Sequence, residues 1–210
     1  KKKKLSFIHP FDDPLTIAGQ GTIGKEILDD KNDFDAVFVP VGGGGLLAGV
    51  AAWIAQNKKA IKIIGVEVED SACLYEAIKK GKRTRLKEVG LFADGVAVEQ
   101  IGKNTLDVIK ETVDEVITVS VDEVCAAVKD IFEDTRVLSE PAGALALAGL
   151  KVYSKTIKHK NSKMHSKSYI MINSKTYIQK IKKLKDCCCG CPGECCCCCR
   201  HRCCWCRCRR

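Results

Sequence analysis

The chain is predicted to be α/β, a mostly parallel sheet with helices on both faces. Three observations predict it. Short apolar runs of buried-strand type alternate with helical segments along the first 152 residues. Apolar residues make up 46% of the 210, enough for one ordinary domain with its own core. Four consecutive glycines, Gly42–Gly45, stand where the first strand must hand over to a helix.

The elements follow in order. Asp13-Pro14 pairs an N-cap acid with a proline at the first helical position, and predicts a helix from Pro14 to about Leu28. Gly19, Gly21 and Gly24 are weak helix formers inside it. Asp35–Val41 is the first buried strand, the glycines break it, and Leu46 to Asn57 resumes as an apolar helix. Ile61–Glu67 is β-branched and reads as the next parallel strand. Ser71 is placed to cap a helix over Ala72–Lys80 that ends at Gly81. Thr105–Thr112 reads as a helix and Val116–Val119 as a strand. Ser120 and Glu123 match a capping box before a helix with Val124, Val128 and Ile131 on one face. Pro141 opens a further Ala/Leu-rich helix to Leu150.

Whole-chain averages mislead. A net charge of +9 with 15 cysteines suggests a basic, disulfide-rich secreted protein. Thirteen of those cysteines lie between Cys187 and Cys208, and residues 153–210 carry a net +13 against −4 for residues 1–152. The first part is therefore slightly acidic, and its two isolated cysteines, Cys73 and Cys125, read as small buried apolar residues of a reducing compartment. No apolar run is long enough for a membrane span, and no signal-type segment follows Lys1–Lys4. Lys155–Lys185 is lysine-rich without a sustained helical or strand period, and Cys187–Arg210 is nearly all Cys, Arg, Gly and Pro. Residues 1–6 thus read as a basic leader, 7–153 as a partial domain, and 154–210 as a low-complexity tail foreign to that domain. The chain opens without Met, which predicts an internal piece of a longer protein.

The chemical signal is the loop Val41-Gly-Gly-Gly-Gly-Leu46 between strand and helix. Glycines let the backbone turn tightly and bring several N–H groups to one spot, and the helix N-terminus adds positive potential. The natural guest is a phosphate. Spacing leaves two guests open, because Gly43-x-Gly45-x-x-Ala48 also fits a dinucleotide fingerprint, with Glu67 placed as its ribose-binding acid. That alternative is an NAD-dependent oxidoreductase. A third reading puts the activity in the tail, as a nucleic-acid-binding or zinc-binding segment.

His9-Pro-Phe-Asp-Asp-Pro14, Ile17-Ala-Gly-Gln-Gly-Thr-Ile-Gly24, Val39-Pro-Val-Gly-Gly-Gly-Gly-Leu46, Gly65-Val-Glu67, Glu69-Asp-Ser-Ala-Cys73, Gly90-Leu-Phe-Ala-Asp-Gly-Val-Ala-Val98 and Glu140-Pro-Ala-Gly-Ala-Leu-Ala-Leu-Ala-Gly149 closely resemble the threonine dehydratase (threonine ammonia-lyase) family, biosynthetic type. The resemblance covers about residues 7–153. It implies the tryptophan-synthase-β-like fold of pyridoxal phosphate enzymes (fold type II). The implied cofactor is pyridoxal 5′-phosphate, and the implied reaction converts L-threonine, or L-serine, to a 2-oxo acid and ammonia on the way to isoleucine. Carried across, it puts Gly42, Gly43, Gly44, Gly45 and Leu46 around the cofactor's phosphate. Gly95 would lie beside the ring and Glu140 near the pyridine end. Taken by themselves, Ala93-Asp-Gly95 is an ordinary Asp-Gly turn, Glu140 an acid favoured at a helix start, and His9 a structural histidine. The implied partner is a small amino acid, with a homo-oligomer expected and neither nucleic acid nor membrane involved. The implied location is cytoplasmic, or organellar in a eukaryote.

The departures matter as much. The family's Schiff-base lysine belongs to a Ser-x-Lys-x-Arg-Gly motif, and no lysine of these 210 residues has that context. The loop that grips the substrate carboxylate, the Ser-Gly-Ala-Asn stretch that meets the pyridine nitrogen and the regulatory domain have no counterpart either. No catalytic residue is therefore assigned, and the 210-residue chain alone is expected to be inactive.

Overall fold

The computed structural model describes residues 6–30, 34–57, 60–160, 168–172 and 178–182. Eleven elements alternate along them: α1 (Pro14–Asp30), β1 (Ala36–Pro40), α2 (Gly45–Asn57), β2 (Lys62–Val68), α3 (Cys73–Lys79), α4 (Lys103–Thr112), β3 (Glu115–Val119), α5 (Val121–Thr135), α6 (Pro141–Lys160), β4 (Ser168–Ile172) and β5 (Ile178–Lys182). The five strands form one sheet in the order β3-β2-β1-β4-β5. Its first three pairings are parallel and β4–β5 is antiparallel. The mostly parallel α/β prediction stands.

Alternation along the strands sorts the core into two layers. Val37, Val39, Val41 and Ile63 face α1, α2, α3 and α4, in a cluster with Leu47, Val50, Ile54, Leu74 and Ile109. Phe38, Ile64, Val66 and Val68 face the other way, onto Val124 and Ile131 of α5 and Leu145 and Leu150 of α6. Helices thus cover both faces, as continuous apolar strands require. β1 has β2 on one side, reached through α2, and β4 on the other, reached through α5 and α6. Strand order reverses beside β1, so the crevice at its carboxyl end is where this architecture places ligands.

The glycines of α1 have a structural reason. A Cβ at Gly24 would stand 3.0 Å from the Val50 carbonyl oxygen, and one at Gly49 only 2.3 Å from that of Ile17. α1 and α2 cross at backbone contact, which no side chain at these positions allows.

Several local expectations need correction. Ser71 does not cap α3; it sits buried in a 3-10 turn, Glu69–Ser71, and Ala72 is the N-cap residue without a side-chain hydrogen bond. α4 begins two residues earlier than predicted because Asp12, distant in sequence, supplies its cap. Cys125 is exposed, one residue past the buried Val124 and so turned off the apolar stripe of α5, whereas Cys73 is buried. Helix α6 runs to Lys160, and β4 and β5 fall within 155–185, where no strand period is legible. Backbone pairing to β1 recruits β4 where side-chain pattern gives no signal. Other predictions hold as read: Ser120 and Glu123 form a reciprocal capping box, and Gly81 ends α3 at φ 68°. Cys187–Arg210, with its zinc and nucleic-acid alternatives, lies outside the described residues. Among the described residues, no helix is long and apolar enough to cross a membrane, and no cluster of potential metal ligands occurs.

The two kinds of glycine predict opposite responses to the same substitution. Gly49→Ala forces α1 from α2 and is expected to cost more than about 2 kcal/mol. Gly19 has nothing within 4 Å of a built Cβ, so Gly19→Ala should stabilise by about 0.5–1 kcal/mol. Urea unfolding of both variants reads the difference, and equal effects would contradict the backbone-contact account.

Candidate functional site

The glycine loop leaves the sheet at the end of β1. Val41 N–H donates to Val66 O at 2.9 Å, extending the ladder one residue past the strand before the chain turns into α2. Gly44 makes the turn at φ 89°, a region that side chains other than glycine rarely adopt. The loop is walled on several sides. A Cβ at Gly43 would fall 2.3 Å from the Phe11 ring, and one at Gly45 2.9 Å from the Phe11 carbonyl oxygen. One at Gly42 would stand 3.0 Å from Val96 Cα, and one at Gly44 2.7 Å from Ile101 Cδ1. A methyl group at any of the four would push a neighbour aside.

The loop's carbonyls are tied back into the protein. Gly42 O accepts from Cys73 Sγ at 3.5 Å. Gly43 O accepts from Thr105 Oγ1 at 3.0 Å and from Gly102 N–H at 3.3 Å. Gly44 O accepts from Ala48 N–H at 2.9 Å. A peptide is rigid and trans, so the C=O of one residue and the N–H of the next point in opposite directions. Fixing three successive carbonyls therefore turns the amides of Gly43, Gly44 and Gly45 to the opposite side. Among the described residues, the N–H groups of Gly42–Leu46 donate to no protein acceptor. Gly43, Gly44 and Gly45 are buried, and buried amides call for an acceptor. Together with the N-terminus of α2, they suit a dianion.

Residues 9–13 hold this arrangement from outside. His9 Nδ1 accepts from Asp12 N–H at 3.0 Å, which makes His9 a structural residue and shapes the bend that presents Phe11. The His9 and Phe11 rings meet edge-on, 4.6 Å apart. Asp12 caps α4 through the N–H groups of Lys103 and Asn104, both at 2.8 Å. Asp13 caps α1, accepting from Leu15 N–H at 2.9 Å and Thr16 N–H at 3.1 Å. Sequence signals reveal Asp13 alone among these supports, whereas Phe11, Asp12 and Thr105 reach the loop through contacts distant in sequence. Only the compactness of the His9–Pro14 motif hinted at them.

Gly95 lies beside the loop, and Glu140 stands at the start of α6. The 3-10 turn Asp94–Val96 lies between the loop and α6, with Val96 against Gly42 and a Gly95 Cβ 3.0 Å from Ala142 Cβ. Glu140 is exposed two residues before Ala142, and its carbonyl accepts from Ala144 N–H at 3.2 Å, opening α6.

Glu67 is elsewhere employed. It is fully buried, and its two carboxylate oxygens accept from Leu74 N–H at 2.8 Å and Tyr75 N–H at 2.7 Å, capping α3. An acid so enclosed cannot present itself to a ribose, and the dinucleotide alternative fails on that residue.

The model of the pyridoxal-phosphate dependent enzymes matches residues 1–165. The chain belongs to that family. It is 57% identical over 155 residues to the biosynthetic L-threonine dehydratase of Pasteurella multocida, covering 74% of this chain and 30% of that protein. It is 50% identical over 163 residues to the mitochondrial threonine dehydratase of Schizosaccharomyces pombe, covering 77% and 27%. Among solved structures it resembles the processed form of threonine deaminase isoform 2 from Solanum lycopersicum, at TM-score 0.76 and 41% identity, over 80% of this chain and 48% of that one. It also resembles maize serine racemase, at TM-score 0.70 and 31% identity, over 79% and 51%. The chain spans about 30% of the length of the bacterial relatives. The resemblance seen in the sequence and the fold expected from it are thereby established, and an NAD-dependent oxidoreductase finds no support.

Glu67 sets a pH dependence. Burial, opposed by the two amide hydrogen bonds and the Cys73 thiol, lifts its carboxyl from 4.5 to about 7. The folded chain keeps this proton up to about pH 7, while the unfolded chain releases it near 4.5, so stability falls as pH rises through that window. The drop is of the order of 3 kcal/mol. Urea unfolding between pH 4.5 and 8 should show wild type losing stability relative to Glu67→Gln as pH rises. A difference independent of pH would rule the linkage out.

Proposed function

We propose that this chain carries the phosphate-holding part of a pyridoxal-phosphate-dependent lyase of the threonine dehydratase type. The whole enzyme would convert L-threonine, and by the same chemistry L-serine, to a 2-oxo acid and ammonia, as an early step toward isoleucine. One observation carries the reading: the amides of Gly42–Leu46 are left without protein acceptors at a helix N-terminus, while the loop carbonyls are tied back. The donor set suits a phosphate monoester and needs no lysine at the phosphate.

In this reading Gly42, Gly43, Gly44, Gly45 and Leu46 bind the cofactor's phosphate through their backbone. Gly95 leaves room for the ring beside the loop, and Glu140, at the start of α6, approaches the pyridine end. The cofactor, when bound, supplies the electron sink that lets a substrate α-proton leave before the β-hydroxyl. The protein's contribution from these residues is to bind and orient. The proton-moving lysine belongs to a Ser-x-Lys-x-Arg-Gly motif that the 210 residues do not contain. The partner is a small amino acid, the assembly a homo-oligomer, and neither nucleic acid nor membrane takes part. The location is the cytoplasm, or an organelle in a eukaryote, in keeping with relatives named as mitochondrial and chloroplastic.

The test is binding to the 210-residue chain. Pyridoxal 5′-phosphate should bind and be displaced by inorganic phosphate, while pyridoxal lacking the phosphate and NAD should fail to compete. Binding of pyridoxal as tight as that of its phosphate would exclude the cup. The same chain incubated with L-threonine and cofactor should form no 2-oxobutanoate, and formation above background would show that the lysine motif is dispensable.

A further inference from the structure

We propose that Cys73 and Glu67 are positioning residues for the phosphate cup: the thiol, held in place by the carboxyl of β2, fixes the Gly42 carbonyl and through it the direction of the Gly43 amide. The proposal rests on the reading of Gly42–Leu46 as a phosphate site.

The geometry runs through three contacts. Cys73 is fully buried at the start of α3, and its Sγ donates to Gly42 O at 3.5 Å across 31 positions of sequence. Gly42 O and Gly43 N–H belong to one peptide plane, so a donor on the oxygen side aims the hydrogen the other way. Thr105 and Ala48 do the same for the next two peptides. Cys73 therefore completes a row of three tethers and is the one made by α3. Glu67 locates Cys73. Its oxygens hold the amides of Leu74 and Tyr75, the two residues that follow Cys73. Glu67 stands on β2, whose Val66 is paired with Pro40 at the end of β1, so the tether is anchored in the sheet that carries the loop. Burial and the neighbouring carboxyl push the thiol up to about 12, which keeps the proton on sulfur for donation.

Packing alone would explain a small buried residue at position 73, and the choice of variants separates the two roles. Cys73→Ala removes the donor, and Cys73→Ser restores a donor on a side chain that is also smaller than cysteine. Dissociation constants for pyridoxal 5′-phosphate and for inorganic phosphate are measured on the 210-residue chain, with circular dichroism confirming that each variant is folded. The alanine variant should bind both about fivefold more weakly, while the serine variant should stay within about twofold of wild type. In the amide spectrum, the Gly43 resonance should move in the alanine variant and return in the serine one. Glu67→Gln, which leaves Cys73 itself intact, gives a second route and should also weaken both ligands and move Gly43. Equal affinities for alanine and serine, or an unmoved Gly43 in every folded variant, would overturn the proposal while leaving the cup in place. Failure of the unsubstituted chain to bind either phosphate would instead overturn the cup, and this proposal with it.

Discussion

The site depends on a row of backbone carbonyls that the protein keeps for itself. With Gly42 O, Gly43 O and Gly44 O each occupied by a donor from a different element, the intervening amides have only one side left to face. This is preorganisation by elimination, in which the loop is held through its acceptors so that its donors are available. It also explains why every position is glycine. Phe11, Val96 and Ile101 press so closely that a single methyl group at any of the four would displace one of the walls. A loosely packed glycine turn would have the conformational freedom without the direction, at a large entropic cost on ligand binding.

Position in the fold does the rest. β1 is the strand beside which the sheet order reverses, and the chain emerging from its carboxyl end has a neighbouring crossover on each side. α4 approaches from one layer, bringing Thr105, and the turn Asp94–Val96, packed against α6, comes from the other, bringing Gly95 and Val96. The two core layers meet the loop from opposite sides, so core stability and site geometry share the same residues. Ile101 and Ile109 belong to the buried core and also to the wall at Gly44.

How much of this is legible in sequence follows the range of each interaction. Local signals were readable: the Asp13 cap, the Ser120–Glu123 box, the Gly81 terminus and the apolar runs of β1 and β2 each act within a few residues. The glycine loop was readable too, because four adjacent glycines have few other uses. What stayed hidden acts across the chain. Asp12 caps a helix more than ninety positions away, and nothing near Lys103 reveals that a cap is coming. Glu67 illustrates the same limit in reverse. Its place at a strand end suits a ribose-binding acid, and only the three-dimensional return of α3 shows that both oxygens are already taken. Bulk averages erred for another reason, since charge and cysteine concentrate in residues 153–210 and say nothing of the segment that holds the site.

Why an acid should be buried at Glu67 follows from the helix it serves. α3 has seven residues, too short to be stable by propensity, and its own N-cap, Ala72, has no side-chain acceptor. A carboxyl group lent by β2 satisfies two of its orphan amides at once. A serine at the cap, such as Ser71 one residue earlier, would have been less costly to bury but would have tied α3 only to its own preceding turn. Taking the cap from the sheet joins α3 to β2 directly, and Cys73 is thereby delivered to Gly42 with a fixed orientation. The rise of the carboxyl to about 7 measures how poorly the site solvates a charge. It is tolerated because the alternative, a short helix docked by apolar contact alone, would leave the first tether of the loop free to drift.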